Sequence, residues 1–278
     1  MTSSPSPRLA RLDSRAVIAV TGPDWRSFLQ GLLTQDVDTL DEGELRFAGL
    51  LTPQGRLLYD LFVTPSADGA LLDVAAEHRA AILARLTMYR LRAKVVLEAS
   101  DQAVFAAFPA PPTDVAGAVW LTDPRLPGLG ARAYGLDATA TATATEDDYE
   151  AHRLELGAPG PADWGSDKTY PIEADFDLLA GIDFKKGCFV GQETTSRMKR
   201  RGLIKTRMLP IRFDGPAPAP GTEVLAGTLR AGEVLSGRDG RAMALLRLDR
   251  IADTALTVDD RPVNVDWPHW HPAPPTTA

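Results

Sequence analysis

One thiol stands in this sequence, Cys188, set between Lys186-Gly187 and Phe189-Val190-Gly191-Gln192-Glu193. The thiolate is the reactive and metal-binding form of cysteine, and nearby cations lower the thiol pKa from its free value of about 8.5. Lys185 and Lys186 precede Cys188, while Arg197, Lys199, Arg200 and Arg201 follow it. From residue 185 to residue 207 there are eight Lys/Arg against one acid, Glu193, a local balance of +7 in a chain whose formal net charge is −7. That contrast points to an anionic partner met at this place rather than over the whole surface. Gly187 and Gly191 bracket the thiol, where backbone can take positive φ or let a ligand approach closely. A plainer reading stays open beside this one, with Cys188 as a small buried hydrophobe and the basic run as a solvated strand edge.

Other constellations carry less chemistry. One cysteine excludes an internal disulfide and any all-cysteine metal or iron–sulfur site within one chain, because such sites take about four ligands. His269-Trp270-His271 alternates two imidazoles without a third ligand, so no tightly bound metal is expected. Gly128-Leu129-Gly130 lacks the strand–turn–helix setting of a dinucleotide loop and reads as a turn. The acidic pI of about 5.2 argues against general nucleic-acid coating. RNA contact through residues 197–207, linked to tRNA modification, is the binding-module alternative. No apolar run approaches the ~20 residues of a membrane span, and the N-terminus has no signal-like apolar segment, so the expectation is a cytoplasmic monomer without a membrane partner.

The string Lys186-Gly187-Cys188-Phe189-Val190-Gly191-Gln192-Glu193 resembles the K-G-C-[FY]-x-G-Q-E signature of the YgfZ family of folate-binding proteins, relatives of the glycine-cleavage T-protein, an aminomethyltransferase. Segments 28–37, 51–56, 123–130 and 153–157 resemble that family's segments in the same order, so the resemblance covers most of the chain. It implies an α+β, T-protein-like fold: two interleaved ferredoxin-like modules plus a C-terminal β-barrel around a central channel. It also implies tetrahydrofolate or another reduced folate in that channel near Lys186 and Gly187, with the anionic tail toward Arg197, Lys199, Arg200 and Arg201. The implied role is support of iron–sulfur cluster assembly or repair, with client or assembly proteins as partners and Cys188 as a functional thiol.

Three more residues come from the same resemblance. Arg153 matches the arginine of the T-protein's R-L-E-x-G segment, which approaches folate; a guanidinium suits a carboxylate, and a helix-surface arginine is the alternative. Glu173 falls in a stretch similar to the P-x-E-x segment near the pterin, or is a helix N-terminal acid held by the dipole. Asp60 stands where the T-protein has G-G-x-x-D-D, but Tyr59 replaces the first aspartate. Residues 130–135 offer no acid in place of the T-protein's F-T-G-E glutamate. Both departures weigh against aminomethyl transfer, which remains the enzymatic alternative with Asp60 positioning or deprotonating a folate adduct.

The chain that must position these groups is long enough, at 278 residues, for more than one domain. Residues 17–20 read as a strand, followed by a helix start at Thr21-Gly22-Pro23-Asp24 and one apolar stripe of Trp25, Phe28, Leu29, Leu32 and Leu33. Strands at 57–63 and 70–74 form a hairpin across 65–69, and a helix over 76–89 leads to a strand at 94–97. Weaker strands at 103–108, 118–121 and 132–134 precede an Ala/Thr alternation over 137–145, read as a linker. Thr145 and Asp148 form a capping box for a helix that Gly157 ends. Beyond the signature, Pro216, Pro218 and Pro220 punctuate short strands that predict a small barrel. The expected units are 1–100, 101–205 carrying the signature, 206–272 as the barrel, and a disordered tail at 273–278.

Overall fold

The structure, a computed structural model, describes residues 6–112, 118–136, 142–202, 204–252 and 254–272. Most of the expected linker at 137–145 and the whole tail at 273–278 fall outside the described residues.

After β1 (Arg8–Arg11) the chain runs through β2 (Arg15–Thr21), α1 (Trp25–Gln30), β3 (Arg46–Leu51), β4 (Leu57–Ser66), β5 (Gly69–Ala75), α2 (Arg79–Arg90) and β6 (Val96–Ser100). Strands β2 to β6 make one antiparallel sheet of order β3-β4-β5-β2-β6. Ser66 pairs with Gly69 at the tight β4–β5 turn, where a Cβ on Gly69 would stand 1.9 Å from the Val20 carbonyl oxygen. Side chains alternate between the two faces of a strand. Ile18, Val20, Leu61, Val63, Leu72 and Val74 face α1 and α2, packing on Leu29, Ile82 and Leu86. Arg15, Asp60, Phe62 and Asp73 face the other way, toward the second sheet.

The apolar stripe of α1 is helical only in part. The helix stops at Gln30 because the Thr34 amide turns to the Gly49 carbonyl and Leu33 bridges Leu50, although Leu32 and Leu33 stay buried. Strand pairing with β3 outcompetes another turn of helix there.

The second sheet has order β1-β7-β9-β8, with β7 (Val104–Phe108), β8 (Leu121–Thr122) and β9 (Ala131–Tyr134). Its first strand comes from ahead of the first sheet, so the two α+β units interleave. Alongside lies α3 (Glu146–Glu155), opened by the Thr145–Asp148 capping box and followed by Gly157 at φ +70°. After α4 (Gln192–Arg201), strands β10 (Thr206–Arg212), β11 (Glu223–Ala226), β12 (Leu229–Arg238), β13 (Arg241–Arg247), β14 (Leu256–Val258) and β15 (Arg261–Val265) close a barrel of order β10-β13-β12-β11-β14-β15.

All three units meet in one apolar cluster, in which Phe47, Leu57 and Phe62 touch Trp164, Ile172, Phe176 and the barrel residues Met208 and Met243. Beside it lies a buried network of three arginines and three aspartates. Asp73 is its hub, accepting from Arg15 Nε at 2.6 Å and from Arg132 at 2.8 Å. Arg15 also binds Asp60 at 2.8 Å, and Asp123 binds Arg125 at 2.7 Å and Arg132 at 3.4 Å. Desolvation alone would raise the Asp123 carboxyl, but Arg125 and then Arg132 outweigh it and hold it below its ordinary value. This network ties the first sheet to the second.

Candidate functional site

The thiol sits on a loop that is pinned on both sides. Upstream, the Lys186 ammonium donates to three backbone carbonyls at the end of α1: Gln30 at 2.8 Å, Leu33 at 2.7 Å and Gln35 at 2.8 Å. An ammonium has three hydrogens to give, and all three are used. Burial lowers Lys186 to about 8, against the opposing pull of Asp36, Asp183 and Asp38. The Asp183 carboxylate accepts from the Lys185 and Lys186 amides, and the Asp183 amide donates to Thr34 O. The Thr34 hydroxyl donates to Gly181 O and the Gln35 amide group to Ala180 O. Downstream, the Val190 amide donates to Gly31 O and Phe189 is buried in the central cluster. Cys188, between these anchors, is exposed.

Beyond the loop, Gly191 takes φ +83° at the start of α4. A Cβ on it would lie 2.5 Å from Thr52 O, and one on Gly55 would lie 2.8 Å from the Thr194 Cβ. Two glycines therefore let the 52–55 turn and the helix start touch backbone to backbone. Gly187 is not among the positive-φ glycines, and a Cβ there would meet nothing within 4 Å, so of the two expectations for it the left-handed one does not hold while the space around it is open. Glu193 in the first turn of α4 and Lys199, Arg200 and Arg201 in its last turn suit the helix dipole.

The basic residues divide into two groups. Lys185, Arg197, Arg200 and Arg201 are exposed, and Lys199 lies over the Phe184 ring while reaching Asp177 at 3.3 Å. Arg207 instead turns inward and is buried against Asp175 at 2.9 Å and Asp177 at 2.6 Å, so it contributes nothing to an anion-facing surface.

The residues carried over for folate are in other employment. Asp60 is 4% exposed and paired with Arg15, not open to a reacting carbon. Arg153 gives Nε to Glu150 at 2.8 Å and a second nitrogen to Ala158 O and Asp163, and it lies flat on Gly160. It staples the loop after α3 and is neither a surface residue nor a free clamp. Glu173 accepts from the Tyr170 amide at 2.9 Å with one oxygen and from the Thr206 hydroxyl with the other, so it caps a local turn. Lys186 is consumed by its three carbonyls. Each of the four expected folate side chains thus has at least one protein partner in this arrangement.

Sequence reasoning missed α4 as a helix, although Gly191 before it, Glu193 in its first turn, the basic last turn and Gly202 after it are start and stop signals. It also missed Thr34 and Gln35 as the seat of the thiol loop.

Lys186→Met is expected to lower stability by about 2 kcal/mol, since three carbonyls lose a charged donor at once. Urea unfolding at neutral pH measures it; an unchanged midpoint would show that the tripod does not hold the loop.

Comparison with known proteins agrees with this geometry. The family model for the CAF17 C-terminal β-barrel domain matches residues 205–273, the span of the barrel. The iron-sulfur cluster assembly factor IBA57, mitochondrial, of Mus musculus is 32% identical over 278 aligned residues, covering 87% of this chain and 78% of the relative. The chain belongs to the IBA57 family. The Homo sapiens IBA57 is 31% identical, again covering 87% of this chain and 78% of its own length. An IBA57 homolog of Neurospora crassa is 32% identical over 76% of this chain, which spans only 55% of that longer relative. Among solved structures, the glycine cleavage system aminomethyltransferase T of Bartonella henselae superposes with a TM-score of 0.75 over 94% of this chain and 85% of its own, at 19% identity. That match establishes the T-protein fold and nothing of the activity. The IBA57 relatives are named mitochondrial, which overturns the cytoplasmic setting expected from the lack of an N-terminal apolar segment. The YgfZ resemblance accordingly resolves into the IBA57 family, whose members are named iron–sulfur cluster assembly factors, and its folate half rests on the resemblance alone.

Proposed function

We propose that this IBA57-family chain supports iron–sulfur cluster assembly by offering Cys188 as a single thiolate to a cluster that a partner protein largely holds. The observation that carries this is the exposed thiol on a loop fixed at Lys186 and at Phe189. A cluster takes about four ligands, and this chain has one cysteine, so the remaining ligands come from elsewhere. The cluster is cargo passing through an interface. Thiolate-ligated clusters are anionic, and the exposed cations of α4 and Lys185 suit that charge and an acidic partner surface. A strain lacking the protein tests the reading: iron–sulfur enzyme activities should return with the wild-type chain and stay low with Cys188→Ala. Equal restoration by both would remove the thiol from the function.

This reading rests on the thiol and not on folate or on aminomethyl transfer through Asp60: Asp60 is buried in its pair with Arg15, and Arg153 and Glu173 are tied to Glu150, Asp163, Tyr170 and Thr206. Calorimetry of the pure chain with tetrahydrofolate, alone and as a polyglutamate, is expected to give no binding tighter than about 1 mM, against a −4.1 kcal/mol reference at that value. Micromolar binding would show that the buried pairs open to admit a ligand.

A further inference from the structure

A second basic surface lies on a separate part of the molecule. From residue 79 to residue 97 the sequence holds five Arg/Lys, at 79, 85, 90, 92 and 94, and no acid. Arg79 is spent on the Ser100 carbonyl. Among the described residues no carboxylate forms an ion pair with Arg85, Arg90, Arg92 or Lys94, whereas exposed guanidiniums elsewhere, at Arg8, Arg212 and Arg247, each hold one. Between these cations stand three large apolar side chains in water: Met88 is 72% exposed, Leu91 87% and Val96 49%. Leu91 follows directly on the end of α2 at φ +45°, a conformation that favours glycine. Neither core packing nor backbone geometry asks for leucine there.

We propose that this tip, the C-terminal end of α2 and the start of β6, is a peripheral contact surface for an anionic lipid bilayer. Met88 lies in the last turn of α2, Leu91 follows it directly and Val96 opens β6, and all three are exposed. Arg90 and Arg92 flank Leu91, and long basic side chains can lay their stems along hydrocarbon while their heads stay among phosphates. The acid-free run is what a uniformly negative headgroup layer attracts. No described helix is long and apolar enough to cross a membrane. The sequence expectation of no membrane partner rested on the lack of a spanning segment, which surface contact does not need.

The test is flotation of the full chain with phosphatidylcholine vesicles, with and without phosphatidylglycerol, at about 0.1 M salt, where the screening length is about 10 Å. The chain is expected to float with the anionic vesicles only. Arg90→Gln with Arg92→Gln should weaken that binding roughly thirtyfold, and Met88→Ser with Leu91→Ser roughly tenfold. These exposed substitutions leave the fold intact, checked by circular dichroism. The proposal is overturned if the wild type ignores anionic vesicles, if it binds neutral ones equally, or if the arginine variant binds as well as wild type. A wild type that ignores vesicles, with an arginine variant that fails to restore iron–sulfur enzymes, would assign the tip to a protein partner instead.

Discussion

Cys188→Ser is expected to leave a folded protein that no longer supports iron–sulfur enzymes. The thiol is exposed and lies between two anchors that do not involve sulfur. Surface substitutions of this kind usually change stability by less than about 0.5 kcal/mol, which for a chain of this size is a shift of about 1–2 °C in melting temperature. The functional effect should be complete, because the sequence holds no second cysteine to take over. Calorimetric melting and enzyme activity in the rescued strain, measured on the same variant, separate the two outcomes. A serine variant that melts normally and rescues fully would leave Cys188 without a role.

The largest stability loss is expected from Asp73→Ala. Both Asp73 oxygens are engaged, one with Arg15 and the other with Arg132 and the Tyr134 hydroxyl. Removing the carboxylate leaves Arg15 paired to Asp60 and Arg132 paired to Asp123, two buried guanidiniums each short of one partner across the contact between the sheets, and breaking such a pair costs about 3–5 kcal/mol. At about 2–4 °C per kcal/mol, the melting temperature should fall by roughly 6–20 °C. A drop of only a degree or two would mean that the arginines find water or other partners. Acid should attack the same network. The Asp123 carboxyl is held below its ordinary 3.8, so its contribution is complete above that pH and is lost as the pH falls through the lowered folded value.

Much of this architecture was readable in the residues. Alternating apolar side chains gave β2, β4 and β5, the Thr145–Asp148 spacing gave the start of α3, and the proline-punctuated strands gave the barrel. The setting of the thiol among glycines and lysines left a working and a buried reading open, and the fold places it in the open. What could not be read was which polar groups satisfy one another. Arg15, Asp73 and Arg132 carry no local signal of burial, since Asp73 lies 58 residues from Arg15 and 59 from Arg132 and only the folded sheets bring them together. The same holds for Lys186, whose charge looked available to the thiol but is absorbed by carbonyls at the end of α1. Arg153, Glu173 and Asp60 sit at positions matching a ligand-binding relative, yet position alone does not say whether a side chain is free.

The pairing of β1 with β7 sets an order of events during biosynthesis. Arg8 meets Phe108 and Arg11 meets Phe105, so β1, once it leaves the ribosome, must wait for this partner through about a hundred further residues. The barrel strands, by contrast, are contiguous from Thr206 to Val265 and need nothing made before them. Late closure of long-range pairs is slow and leaves strand edges open to wrong neighbours. A nascent chain halted before Val104 should therefore be held by chaperones far longer than one released after Tyr134.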